Sequence, residues 1–306
     1  MNNNYYQPNR YQPRQQHRRP VQRRPKTSEV VIARLILFAF MFAVLFIICA
    51  VIFAVVLFSG VDFRSETTTV NATASIPASQ TIAAISEDVY YENQPDLGFV
   101  ADLEEYEMYM NPADRDEYLI LINTKSTLDA DYVPEDLVNV VDTRKDGRAT
   151  QKMRLYAEKA LEAMFIELRA NGFDDVSVTS AYRSYAQQQS NFNTRMATYK
   201  NMSKEEAYAK TAPIIAIPGT SEHQSGLCAD LHNLPSALTA FAKEEAGKWL
   251  AANCHKFGFI LRYPEDKQDI TGIIFEPWHF RYVRRYHATK IMESGVCLEE
   301  YMASIE

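Results

Sequence analysis

The pattern of apolar and polar positions divides the chain into contrasting stretches. Residues 1–29 are polar, rich in Gln, Asn, Pro, Tyr and Arg and without an apolar period, and read as disordered. Residues 35–58 (LILFAFMFAVLFIICAVIFAVVLF) then hold no charge, proline or glycine across 24 residues. About 20 apolar residues cross a bilayer core, and a buried soluble helix would show a polar stripe, so the pattern predicts a transmembrane helix over 30–58. A cleaved signal peptide is the competing reading. Its apolar region is usually about 7–15 residues and ends at a small-residue cleavage site, which Ser59-Gly60-Val61-Asp62 fits poorly. Residues 59–117 are expected to be an extracytoplasmic linker, Ser/Thr/Ala-rich at first and acidic later.

From about Tyr118 the pattern becomes regular. Residues 118–123 (YLILIN) are a strand candidate. Met153, Ala157, Ala160, Leu161, Met164 and Leu168 recur at helical spacing and predict a long amphipathic helix over 150–171, with Gly172 just beyond. Residues 175–180 read as a strand, 185–199 and 203–210 as helices, the second opened by a Ser-Lys-Glu-Glu cap signal. A further helix is expected over 243–256, and strands over 270–275 and 280–283. Without a repeat or a βαβ rhythm, the mixture predicts a single α+β domain over 118–303.

Charge adds topology. Residues 1–34 carry eight Lys/Arg and one acid, hence +7, leaving −14 on the rest of a chain of net charge −7. With the basic flank before the span, the N-terminus is expected in the cytoplasm and the acidic domain outside, in a single-pass cell-membrane protein. The short basic tail beside a membrane is explained by topology and anionic headgroups, so no nucleic-acid partner is expected. The 47% hydrophobic content excludes a wholly disordered chain, and four cysteines are too few for a disulfide-built scaffold.

The candidate chemistry lies in two segments. His223 and Asp230 share PGTSEHQSGLCADLH, and His279 follows Glu276 in FEPWHFRYV. A catalytic zinc takes three ligands from His, Asp or Glu and leaves a position for water. His223, Asp230 and His279 would make such a set, with Glu276 as the carboxylate that handles the water's proton. In a regular strand positions 276 and 279 face opposite sides, so the scheme requires a bend at Pro277. Spacing alone does not decide the matter: a lone His is more often packed than ligating, and His-x6-Asp is not a specific pattern.

These segments resemble the zinc D-Ala-D-Ala carboxypeptidases of the VanY type, which share a fold with the zinc-binding hedgehog signalling domain. That family shows Ser-x-His-x-x-Gly-x-Ala-x-Asp, here from Ser221 to Asp230; Glu-x-Trp-His, here Glu276 to His279; and Ser-x-Tyr-Arg-Ser, here Ser180 to Ser184. One departure is Cys228, where the family usually has Ala. The resemblance implies a hedgehog/DD-carboxypeptidase-like fold and Zn2+ held by His223, Asp230 and His279. It also implies Glu276 as general base and acid, and Arg183 beside the reacting carbonyl or terminal carboxylate, with Gln188 and Ser221 as further substrate-binding candidates. The expected activity is removal of the C-terminal D-Ala from a peptidoglycan stem peptide by a monomer. L,D-carboxypeptidase action on tetrapeptide stems and a non-catalytic zinc-stabilised binding domain are the alternatives. A serine-type enzyme is disfavoured, because no Ser-x-x-Lys with its partner motifs is present. His232, His255 and His287 match no catalytic motif. With Cys228 in the site motif, the favoured disulfide is Cys254–Cys297, against three reduced thiols.

Overall fold

Four antiparallel strands form the sheet on which the molecule is built: β3 (Ser177–Ser180), β4 (Cys228–His232), β5 (Phe259–Leu261) and β6 (His279–Tyr282), in the order β3-β4-β6-β5. A short hairpin of β1 (Leu137–Asn139) and β2 (Lys152–Arg154) stands apart from it. This computed structural model describes residues 96–112 and 116–305. The expected tail, the 30–58 span and the linker up to residue 95 lie outside the described residues, among which no helix is long and apolar enough to cross a membrane.

The long helix α2 (Leu155–Ala170) buries the face its sequence period marks out: Ala157, Ala160, Leu161, Met164 and Leu168 are inaccessible. They share one core with Val178, Ala229, Leu231, Phe280 and Tyr282 of the sheet. The helix starts five residues later than expected, because Met153 is drawn into β2 and also packs in that core. Helices α3 (Tyr185–Ala197) and α4 (Lys204–Thr211) form as predicted, each opened by a capping box, Ser184 with Gln187 and Ser203 with Glu206. The helix expected over 243–256 is α5 (Glu245–Asn253), continued by a 3-10 turn and stopped at Gly258.

Four expectations fail. Residues 118–123 do not form a strand; the carbonyls of Tyr118 and Ile120 accept from the buried guanidinium of Arg281 instead. Residues 270–275 are not a strand either. The chain makes the short helix α6 (Gln268–Thr271), is turned by Gly272 at φ 73°, and offers one sheet-like bond, from Ile274 N–H to Pro213 C=O. The segment 96–112, expected to be linker, belongs to the domain. It carries the short helix α1 (Glu107–Met110), buries Leu103 and Met110 in the core, and ties Glu107 to Arg285. Two further helices, α7 (Arg285–Ser294) and α8 (Leu298–Ile305), cover a second apolar cluster of Ile260, Val283, Ile291 and Leu298. Cys228, Cys254 and Cys297 are all buried free thiols, so the favoured disulfide is not formed: Cys254 lies in the main core, and Cys297 lies just before α8.

Candidate metal centre

The register of β4 against β6 sets Asp230 directly opposite His279. Side chains directly opposite on one face of an antiparallel pair have Cβ atoms about 4.5–5.5 Å apart. Here Asp230 Oδ1 lies 3.0 Å from His279 Nδ1. The next inward position on β4, two residues back, is Cys228.

His223 comes from the 3-10 turn Glu222–Ser225 that leads into β4. Gly226 ends the turn at φ 69°, a left-handed conformation that favours glycine. One ring nitrogen of His223, Nδ1, is 2.6 Å from the carbonyl oxygen of Ala181, which fixes the ring and leaves Nε2 at 3.5 Å from Asp230 Oδ2. The two imidazoles meet edge to face, with centroids 5.0 Å apart. The expected triad is thus brought together from three pieces of chain.

Glu276 joins it by the bend that the sequence required. Residues 276–279 form a tight turn closed by His279 N–H donating to Glu276 C=O at 3.1 Å, and Glu276 Oε2 lies 3.7 Å from His279 Nδ1. Burial raises the Glu276 pKa to about 7, opposed by the neighbouring imidazoles and Arg183. A carboxyl group poised there can take and return a proton near neutral pH.

A cavity of about 410 Å³ opens on the group. Arg183, Ser221, Tyr263, Glu276 and Trp278 line it, with an aliphatic wall of Ile214, Ile215, Leu238, Ile273 and Ile274. Arg183 is held by Nε donating to Gln188 Oε1 at 3.1 Å and Nη1 donating to Ser180 Oγ at 2.9 Å. Gln188 is buried, donates to Ala216 C=O and is not among the lining residues, so its place is behind Arg183. His232 bonds with Arg144, Thr179 and Leu234, away from the cavity lining.

Sequence reasoning missed Glu222. This carboxylate is fully buried, with Oε1 2.7 Å from both Arg262 Nε and Arg281 Nη1, and Glu299 holds the far side of Arg262. Burial opposes its ionisation, but the two guanidinium groups hold its pKa well below the usual carboxylate range. Its other oxygen, Oε2, lies 3.6 Å from His279 Nε2, and neither of these buried atoms makes a hydrogen bond. The signal was its place beside His223 in Ser-Glu-His together with two arginines in apolar surroundings, but buried ionic networks have no sequence period.

The donor set fits a divalent cation. Asp230 faces a nitrogen of each imidazole, and Glu222 faces the remaining nitrogen of His279, the usual arrangement behind a ligating histidine. Against the cost of burial, the two imidazoles hold Asp230 ionised, and its charge in turn helps raise the pKa values of both rings. The pocket therefore attracts positive charge at its centre, which a metal ion supplies. Cys228 lies here too, with Sγ and one nitrogen each of His223 and His279 within 4.8 Å of one another.

Comparison with known proteins agrees with this geometry. A family profile described as VanY, D-alanyl-D-alanine carboxypeptidase, matches residues 150–285. The chain is 35% identical over 205 residues to YodJ of Bacillus subtilis, a protein provisionally named a carboxypeptidase, covering 65% of this chain and 71% of that one. This chain belongs to the VanY family of D-alanyl-D-alanine carboxypeptidases. It is 37% identical to a D-alanyl-D-alanine carboxypeptidase of Enterococcus faecalis, covering 60% of this chain and 65% of that one. Among solved structures, the LdcB LD-carboxypeptidase superposes with a TM-score of 0.55 at 34% identity, covering 61% of this chain and 86% of that one. VanYB in complex with D-Ala-D-Ala gives 0.54 at 36%, covering 62% and 99%. A mutant VanY D,D-pentapeptidase from a VanB-type resistance cassette, in complex with Zn(II), gives 0.51 at 37%, covering 60% and 98%. The VanY fold and its zinc dependence make this chain a zinc metallo-carboxypeptidase.

Proposed function

We propose that this chain is a membrane-anchored D,D-carboxypeptidase that removes the terminal D-Ala from peptidoglycan stem peptides outside the cytoplasmic membrane. The observation that carries the reading is Glu276, a largely buried carboxyl group on the cavity wall, 3.7 Å from the His279 imidazole. A binding domain with a purely structural metal has no use for such a group.

His223, Asp230 and His279 would hold the zinc, which supplies Lewis acidity and lowers the pKa of a bound water. Glu276 takes the proton from the attacking water and delivers it to the nitrogen of the departing D-Ala. Arg183, braced by Gln188 and Ser180, supplies a fixed cation for the developing oxyanion or the terminal carboxylate. The aliphatic wall suits the methyl groups of a D-Ala-D-Ala end. The uncharged 35–58 run and the basic flank before it support the anchor and an extracytoplasmic domain.

The likeness to an LD-carboxypeptidase favours one second reading, release of D-Ala from tetrapeptide stems. Product analysis with synthetic penta- and tetrapeptides, with and without chelator, separates the two. Release from the pentapeptide alone, abolished by chelator, is expected; release from the tetrapeptide alone supports the second reading, and release from neither removes both.

A further inference from the structure

We propose that Cys228 is a fourth protein ligand of the metal, joining His223, Asp230 and His279 through its sulfur. The proposal rests on the zinc reading above and adds a residue that the VanY-type motif leaves as Ala.

The placement is set by the sheet. Cys228 and Asp230 are alternate residues of β4 and point to the same face, while Arg281 and His279 lie opposite them on β6. The thiol is wholly inaccessible, and its sulfur lies within 4.8 Å of one nitrogen of each imidazole. With Zn–S about 2.3 Å and Zn–N about 2.0–2.1 Å, neighbouring sulfur and nitrogen donors of one ion stand roughly 3–3.5 Å apart. The separations here, all within 4.8 Å, need only a small contraction onto an ion. His279 Nε2 and Glu222 Oε2, buried and without hydrogen bonds, are further polar atoms of the same centre whose positions such a contraction would settle. Cys254 and Cys297, the other buried thiols, belong to no such group of donors among the described residues.

Cys228 is not among the residues lining the cavity, whereas His223, Asp230, His279 and Glu276 are. The sulfur therefore approaches from the protein side, and water or substrate on the cavity side would make the ion five-coordinate. Bond formation converts the thiol to a thiolate and releases its proton to solvent, the sulfur supplying the electron pair. Two anionic ligands, Asp230 and Cys228, then balance a divalent ion. This centre is more tightly held and less electrophilic than one with a single carboxylate. It should also prefer softer divalent metals.

The test uses the full-length chain, C228A and C228S, each loaded with Zn(II) or Co(II). C228A restores the family's usual residue and should fold. The unmodified chain is expected to show a sulfur-to-cobalt charge-transfer band in the near ultraviolet and one sulfur at about 2.3 Å in zinc X-ray absorption. Both features should vanish in both variants. Metal uptake should release about one proton fewer from C228A, and zinc affinity should fall at least about ten-fold, since even outer-shell partners are worth that much. A nitrogen- and oxygen-only shell in the unmodified chain, with spectra matching C228A, overturns the sulfur ligand and leaves the zinc reading intact. A chain that takes up neither metal overturns both.

Discussion

Asp230 and His279 face each other across β4 and β6, with Oδ1 3.0 Å from Nδ1, so backbone pairing itself delivers two of the three expected ligands. The third, His223, is fixed through the C=O of Ala181, which directly follows Ser180, the β3 residue paired with Asp230. The site is therefore built on hydrogen-bonded scaffold, and its variants should separate cleanly into those that lose metal and those that lose turnover.

Glu276→Gln keeps the shape of the turn and removes the proton carrier. Zinc content by elemental analysis should be unchanged, and turnover of a pentapeptide should fall by about 10²–10⁴-fold. Full turnover in this variant would remove Glu276 from its role.

Glu222→Gln leaves Arg262 and Arg281 buried with half their compensation. Breaking a buried ion pair by removing one partner costs about 3–5 kcal/mol, and denaturant titration should show a loss of that order. His279 also loses its charged outer partner, so zinc affinity in a chelator competition should drop roughly 10–100-fold. Unchanged stability and affinity would make the network ornamental.

Arg183→Ala should leave zinc binding intact and lower kcat/KM by about 10²–10³-fold, the scale of one lost oxyanion donor. A peptide amidated at its C-terminus divides the possibilities. If Arg183 binds the terminal carboxylate, the amide and the Ala variant show overlapping, non-additive losses.

His287 gives a pH dependence outside the site. Its ring lies between Arg284 and the Tyr301 hydroxyl, 2.7 Å away, and burial with the Arg284 charge pushes its pKa down to about 3. The unfolded chain binds this proton near pH 6.5, the folded chain only near 3. The stability contributed by the neutral ring is thus fully present above 6.5 and is lost as pH falls towards 3, at up to about 1.4 kcal/mol per unit. Urea unfolding of His287→Gln across this window should show a flatter slope than the unmodified chain.

The parts of the fold legible in the sequence were those with a period or a local signal. The buried face of α2 follows from its i, i+3/i+4 spacing, and α3 and α4 from their caps. Residues 118–123 and 270–275 were misread because an apolar run states burial without stating a hydrogen-bond partner; Arg281 and Gly272 decided the outcome. The candidate site residues were legible through their resemblance to a family, and the fold brings His223, Asp230 and His279 together beside Glu276. Glu222 was not legible: its meaning depends on Arg262 and Arg281, 40 and 59 residues away, meeting it in the interior.

The stretch 96–112 changes where this protein can be cut. Glu167 accepts from the backbone N–H groups of Val100 and Ala101, Glu107 pairs with Arg285, and Met110 is wholly buried. A version beginning at 118 would take two backbone donors from Glu167 and the carboxylate of Glu107 from Arg285, and leave a methionine-sized hole in the interior. The smallest piece able to fold by itself therefore begins ahead of residue 100, inside what composition alone marks as tether.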